Sequence, residues 1–489
     1  VQAAAIEAHL ANRFDEAADL YRAVLASHPE DADALNLLAL VERERGNLAT
    51  APELSGAARA RFEHPTFLDN LAVSFLVSAG RFEEAAIVNR RLVTANPKDP
   101  GGINNLGLLA HLNGYIDEAA YHYERAITID PDFEEPRLNL LVLQLETGHA
   151  EAAETQARRV IEADPGHGRA RLGLSHALFI QGRWAEAWAE YQHRPIRAVA
   201  PPGHAVPPWN GEPLDGRRFL VVGEEGLGDH IQFARYAARL RARGASAVIV
   251  AAPKALHRLL LRMEGIDAVT DDVGESQGAE AWAPLMSLPL HFATNLENLR
   301  ETLPRGLPYL RLDGASAPDR QTPLQVGIFW AGYGAVVPRE LVRIDSQRSM
   351  ELQQLLPLLL DEGLRDKVVW TILQRDRRPD YLEPLAVSAG WRDPFGSGAA
   401  GRPEDMLDTA RIIAGLDLVI GVDSALIHVS GALGRPTWMM DRWNHCWRWR
   451  HGATDSDWYP GVLRIFRQQT AGDWAPVVAA VRDALARLT

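Results

Sequence analysis

Four places in the sequence hold residues whose types and spacing suit chemistry. The first is GEEGLGD, residues 223–229, where glycines loosen a turn bearing Glu224, Glu225 and Asp229. A carboxylate facing a bound electrophile takes a hydroxyl proton, so Asp229 reads either as a general base or as a helix cap. The second is DLVIGVDSALIHVSGALGRPTW, residues 417–438, in which the apolar run Leu418–Val422 stops at Asp423 and Ser424. A helix starting there offers free N–H groups and a positive dipole end to a phosphate, and an Asp-Ser pair serves equally as a plain cap. His428 follows Ser424 by four residues and shares its helix face; the plain role for it is a buried histidine bonded to a carbonyl. The third is Arg348 in SQRSMEL, whose guanidinium fork suits a phosphate or a surface ion pair. The fourth is a cluster of tryptophans: six of the 13 lie between 438 and 474. Some belong to the core, and Trp447 or Trp449 offers a face for stacking on a base or sugar.

These residues need a framework that presents them together. FLVVG (219–223), a helix from Phe233 to Arg243, SAVIVAAP, a helix from Ala255 to Met263, IDAVT and WAPLMSLP alternate strand and helix. The pattern restarts with QVGIFWAG at 325, a helix from Met350 to Leu360, KVVWTILQ, a helix from Pro403 to Gly415, and the 417–438 stretch. Alternation of this kind builds open parallel sheets with ligands outside the carboxyl ends of the strands. Gly223, Gly226 and Gly228 run G-x-x-G-x-G with no Lys-Ser/Thr after them, which fits neither a P-loop nor a dinucleotide fingerprint. The final segment DWAPVVAAVRDALARL is amphipathic and closes the chain.

With 489 residues, 47% apolar and 24% charged, the chain is a soluble multidomain type. No apolar run reaches the roughly 18 residues of a membrane span. The single cysteine, Cys446, excludes an internal disulfide framework and a Cys-cluster zinc site, and fits a reducing cytoplasm. The sequence begins at Val1, which leaves the true N-terminus open, and nothing there reads as a signal peptide. Residues 1–194 carry 18 Lys/Arg against 29 Asp/Glu, an acidity that argues against a nucleic-acid platform.

That acidic half is periodic. NRFDEA, GNLATA, GRFEEA, GYIDEA, GHAEAA and GRWAEA place Phe14, Leu48, Phe82, Ile116, Ala150 and Trp184 each 34 residues apart. Pro29, Pro97, Pro131 and Pro165 keep the phase, with Pro65 displaced by two. The fourth unit, with Leu106, Gly107, Ala119, Tyr123, Ala126 and Pro131, most resembles the tetratricopeptide repeat. About six units then form an all-α superhelix over 1–194 whose concave face takes a peptide or protein, or which acts as a spacer or dimerisation element. The Pro- and Gly-rich residues 195–216 read as a linker. Residues 217–312 read as one Rossmann-like half, 313–324 as a hinge, and 325–489 as a second half with its closing helix.

GEEGLGDHIQFARY, PLMSLP, VGIFWAG, the Arg-Ser of SQRSMEL, DTARIIAGLDLVIGVDSALIHVSGALGRP, WRWR, DSDWYP, RIFRQ and GDW together resemble a GT-B glycosyltransferase of the heptosyltransferase-like group. The resemblance spans nearly all of 207–489 and is strongest to bacterial proteins that fuse tetratricopeptide repeats to that domain. The domain order also resembles flagellin-modifying glycosyltransferases, whose repeats recruit flagellin for a nonulosonic acid. The resemblance implies Asp229 as catalytic base and Gly332 in the turn near the nucleotide phosphates. Arg348 stands about where the family has a phosphate-binding cation, although the long segment before it leaves Arg343 as the alternative. Gln374 falls where the family contacts the ribose. Asp423 would face sugar hydroxyls, Ser424 and the Ala425 N–H the phosphate, and His428 the same pocket. MDRWNHCWRW departs from the proline-containing loop expected after the strand.

The implied enzyme is cytoplasmic, inverting and metal-independent, with no cofactor beyond the nucleotide-sugar substrate; a CMP-nonulosonic acid follows from the flagellin-type architecture. The acceptor is a Ser or Thr hydroxyl of a protein, flagellin by the same architecture, held by the repeats. A lipopolysaccharide or other glycan acceptor is the alternative. A non-enzymatic adaptor that only binds a nucleotide sugar is the third reading. Neither nucleic acid nor membrane insertion is expected.

Overall fold

The computed structural model describes residues 2–10, 13–47, 49–59, 66–194, 208–272, 278–303, 306–312, 323–332, 347–375, 391–395 and 403–489. The chain divides into two compact units, Val1–Ala170 and Arg171–Thr489. This places the division about one helical hairpin earlier than the expected boundary at 194, because the last hairpin packs its aromatic residues into the α/β part. Most of the expected linker and hinge lies outside the described residues.

The first unit is helical throughout its described residues, from Gln2–Leu10 to Ala150–Ala163. The 34-residue period reappears as geometry. Gly46, Gly80, Gly114 and Gly148 close the first helix of successive hairpins with φ between +69° and +81°, the left-handed turn that glycine adopts without steric cost. Asp31 and Asp99 cap helices by accepting from Ala34 N and Gly102 N at 2.9 and 2.7 Å. In the fourth unit Ala119, Tyr123 and Ala126 are fully buried, and a Cβ on Gly107 would lie 2.7 Å from the Tyr123 ring. The small residues therefore set how closely the Pro100–Leu112 and Ile116–Ile129 helices approach.

The second unit holds two parallel sheets. Strands β1 (Arg218–Val222), β2 (Ala247–Ala251), β3 (Ala268–Thr270) and β4 (Ala281–Pro284) lie in the order β3-β2-β1-β4. Strands β5 (Leu324–Ile328), β6 (Val368–Ile372), β7 (Leu418–Val422), β8 (Thr437–Asp441) and β9 (Leu463–Arg467) lie in the order β6-β5-β7-β8-β9. All the pairings are parallel. β7 is apolar throughout because it is buried along its whole length. The expected strands are present, and RIFRQ adds β9, which the periodicity does not mark as a strand. Its pattern alternates only at Arg464, an edge residue whose side chain lies over the Trp438 and Phe466 rings.

Strand order reverses at β1/β4 in the first sheet and at β5/β7 in the second, so each has a crevice at the carboxyl ends of those strands. GEEGLGD follows β1, Gly332 follows β5, and Asp423-Ser424 follows β7. The topology thus brings three of the sequence features to strand ends of one kind.

Ala119→Leu adds methylene groups where neither Gly107 nor Tyr123 can yield. The substitution is expected to cost about 1–3 kcal/mol, read as an earlier loss of helical circular dichroism in a denaturant titration.

Candidate functional site

The carboxylate turn is a helix start. Gly223 N donates to Ala251 O at 3.0 Å, Glu225 takes φ +63°, and the helix Leu227–Phe233 begins six residues earlier than expected. The glycines do not prevent it, because Asp229 lies in its first turn and one carboxylate oxygen accepts from Gly226 N at 3.0 Å. One oxygen of Asp229 therefore caps the helix. Its other oxygen pairs with the guanidinium of Arg448. Arg448 also donates from Nε to Gln232 Oε1 at 2.9 Å and from a terminal nitrogen to Cys446 Sγ at 3.2 Å, and lies 4.7 Å over the Trp447 ring. Burial, the largest influence, would lower the Arg448 pKa, but Asp229, Cys446 and Tyr191 together outweigh it and the net shift is upward. Burial, reinforced by Asp229 and Glu224, raises the pKa of Glu225.

The second sheet supplies the facing element. Ser424 caps the Ala425–Ala432 helix, its Oγ accepting from Leu426 N at 3.4 Å, and Asp423, Ser424 and Ala425 are partly exposed. A Cβ on Gly228 would lie 2.7 Å from His428 Cδ2 and 3.5 Å from Ala425 Cα. The Asp229 turn and the Ser424 helix start are thus in direct contact, and only glycine fits between them. His428 is 6% exposed. Its Nδ1 shares a hydrogen bond with Tyr459 OH at 2.9 Å, and its ring lies 5.8 Å from Trp449. Burial drops its pKa to about 4, so the ring is neutral near pH 7. The structure gives His428 the role of a packed wedge, not an open donor contact.

At the end of β5, Gly332 N donates to Ser349 Oγ at 3.1 Å. Gln374 is buried, and its side-chain oxygen accepts from Trp330 N and Ala331 N at 3.1 and 2.9 Å. Gln374 accordingly braces the turn that leads to Gly332, where the resemblance implied a ribose contact. Arg348 is partly exposed, between Ser349 and Gln347, which accepts from Asn444 Nδ2 at 2.9 Å. Arg343 lies outside the described residues.

The stacking expectation for the tryptophans is corrected. Trp447 stacks on Phe179 with centroids 4.1 Å apart and planes at 15°, while Trp449 is 1% exposed beneath His428. Rings of this size are more stable in the core than at an open pocket wall. The residue of WRWR that reaches the Asp229 turn is instead Arg448, an arginine between two core aromatics. At the end of β8, Asp441 is buried and accepts from Arg467 Nε at 2.8 Å, yet burial raises its pKa to about 6.

Together these elements bring a carboxylate, a capped helix start and a partly buried arginine to one place. It suits a ligand with an anionic group at the Ser424 helix start and a proton donor near Asp229. Among the described residues no cluster of three or more His, Cys, Asp or Glu is placed to hold a metal ion, and no helix is long and apolar enough to cross a membrane.

Tetratricopeptide repeat family models match residues 4–61 and 138–194, and a further one matches 102–133. The N-terminal part is a tetratricopeptide-repeat array, a class that generally binds peptides or proteins. The chain is similar to Protein FlbA of Caulobacter vibrioides, 25% identical over 345 residues, which covers 63% of this chain and 53% of that protein. It thus spans about half the length of this curated relative. Among solved structures it is similar to a thermophilic tetratricopeptide-repeat protein of Thermus thermophilus, 23% identical, covering 36% of this chain and 96% of that one with a TM-score of 0.33. YrrB, a tetratricopeptide-repeat protein described as having an unusual peptide-binding site, is 18% identical, covering 36% of this chain and 91% of its own with a TM-score of 0.24.

Gly228→Ala drives a methyl group into His428 and is expected to cost about 1–3 kcal/mol, measured by denaturant unfolding. A pH dependence follows from the buried histidines. His428, His176 and His445 are each lowered from 6.5 to about 4, by burial first in every case. In the window between those values the unfolded chain binds more protons, so stability falls as pH drops through it. Asp441, raised from 3.8 to about 6, acts in the opposite sense over part of that window, one group against three. The thermal midpoint of the second unit is expected to fall from pH 6.5 towards 4, and His428→Gln to flatten that slope.

Proposed function

We propose that this protein is a GT-B-type glycosyltransferase that moves a sugar from a nucleotide-sugar donor to a Ser or Thr hydroxyl of a protein recruited by its repeats. The observation that carries the reading is the contact of the Asp229 turn, from the first sheet, with the Ser424–His428 helix start, from the second. A reaction between two substrates needs a proton acceptor for one and an anion site for the leaving group of the other, close together. Asp229 takes the acceptor proton as the hydroxyl oxygen attacks the anomeric carbon. The bond from that carbon to the donor phosphate breaks, and the departing phosphate is met by the helix start at Ser424 and Ala425 and by Arg348. Configuration at the carbon inverts, and no metal takes part. Flagellin as acceptor and a CMP-nonulosonic acid as donor remain the first choices on the domain order.

A binding-only role is the second reading, and one observation favours it. The carboxylate proposed as base is already engaged by Arg448, which must release or share it before it can accept a proton.

The test is sugar transfer, followed by mass spectrometry, over a panel of CMP-, UDP-, GDP- and ADP-sugars that have first been screened for thermal stabilisation. Asp229→Ala is expected to lower turnover by about 10²–10⁴-fold while the stabilising donor still binds by calorimetry. Unchanged turnover removes Asp229 from the chemistry. Donor binding by the wild-type chain with no product would establish the adaptor reading.

A further inference from the structure

The sixth helical hairpin is a repeat by sequence and part of the α/β unit by packing. Its helices, Gly168–Ile180 and Trp184–Tyr191, lie within the matched repeat residues 138–194. A terminal repeat that only caps an array presents a polar outer face. This one buries Phe179, Trp184, Trp188 and Tyr191, each 5% exposed or less. Phe179 stacks on Trp447, the neighbour of Arg448, and Trp184 stacks on Trp458 at 5.7 Å. Trp188 meets Phe233 edge-on at 6.3 Å and donates from Nε1 to Thr294 O at 3.1 Å. The hairpin thus touches both sheet halves beside the site.

Its most specific contact follows three residues later. Arg194 donates through Nε and a terminal nitrogen to the two oxygens of Glu224, at 3.2 and 2.5 Å. The guanidinium also donates to Tyr191 O at 2.8 Å and Ser287 Oγ at 3.2 Å. Glu224 accepts further from Met286 N at 2.8 Å. The two side chains are 2% and 3% exposed. Glu224 is therefore fixed between the ends of β1 and β4. The next residue, Glu225, takes the left-handed conformation that turns the chain into the helix carrying Asp229.

We infer that Arg194, delivered by this hairpin, is a positioning residue: through Glu224 it sets the turn that presents Asp229 to the Ser424 helix start. The inference rests on the proposed reading for its effect on turnover, but its effect on the turn is independent of any substrate. A buried ion pair can be replaced by apolar side chains without leaving an unpaired charge, which separates stability from positioning.

The experiment uses the full chain with the double substitution Arg194→Met/Glu224→Met, followed by thermal unfolding, amide hydrogen exchange and, with the donor identified above, steady-state kinetics. The expected result is a thermal midpoint near wild type with exchange at Gly226, Asp229 and Met286 faster by about tenfold or more. Exchange at 418–432 stays unchanged. Turnover falls by about 10²-fold with donor KM within about twofold. Wild-type protection of the turn overturns the inference, and so does turnover that stays at wild type while the turn is loosened. If the wild-type chain transfers no sugar, the exchange measurement alone decides between the outcomes, so failure of the glycosyltransferase reading is distinguishable from failure of this one.

Discussion

The second unit depends on one close approach, that of the Leu227–Phe233 helix to the Ala425–Ala432 helix at Gly228 and His428. Backbone and imidazole meet where a methyl group would not fit, so the geometry requires glycine on one side and an uncharged ring on the other. The neutral ring is held by Tyr459, whose hydroxyl lies 3.3 Å from that of Tyr309, which in turn donates to Ile231 O at 3.1 Å. Tyr309 N and Leu310 N both donate to Ala432 O at 3.1 Å, so the strap that follows the first half is tied to the far end of the same helix. Arg235 fills the centre. It is 3% exposed, and Tyr309, Tyr459 and Trp458 lie 4.9, 5.1 and 5.3 Å from its guanidinium. Ring faces and the Trp458 and Gln232 carbonyls surround the charge, an arrangement that holds a desolvated guanidinium by cation–π attraction and hydrogen bonds.

Around this junction the charges are arranged by distant parts of the chain. Glu224, Glu225 and Asp229 crowd one turn, and burial together with the charges of Asp229 and Glu224 raises the proton affinity of Glu225. The two arginines that relieve the crowding come from either side. Arg194 arrives from the hairpin before the first sheet and Arg448 from the loop after β8. Neither strand-to-helix unit could hold its carboxylates in this way alone. The cost of stripping water from the arginines is met by several hydrogen bonds to each, and the same bonds fix the directions in which the carboxylates point.

The legible part of the sequence was the part governed by local period. Repeats spaced 34 residues apart, alternating strands and helices, and the Asp-Ser helix start all leave patterns a few residues wide. What escaped was set by packing between distant segments. Asp229 was legible as a possible cap, but its pairing with Arg448, 219 residues further along the chain, was not. Trp447 and Trp449 looked like candidates for stacking because aromatic residues serve both cores and sugar sites. Only the position of Phe179, far away in sequence, distinguishes the two. Gln374 stands at a strand end, as the resemblance requires, but its partners are backbone groups of Trp330 and Ala331, which no sequence motif records.

The boundary between the units follows the same logic. Period assigns residues to a repeat by what they share with earlier copies, and by that measure 168–191 is one more copy. Packing assigns them by where apolar area is buried, and four large aromatic side chains decide for the α/β unit. An element that satisfies both descriptions has to keep the repeat's small residues, such as Ala177 and Ala187, fully buried. It must also carry phenylalanine and tryptophan on the opposite side, where an ordinary terminal repeat would be polar. Trp184 occupies the phase position of Phe14, Phe82 and Ile116, so the larger ring there marks where the array stops being periodic and starts to serve the site.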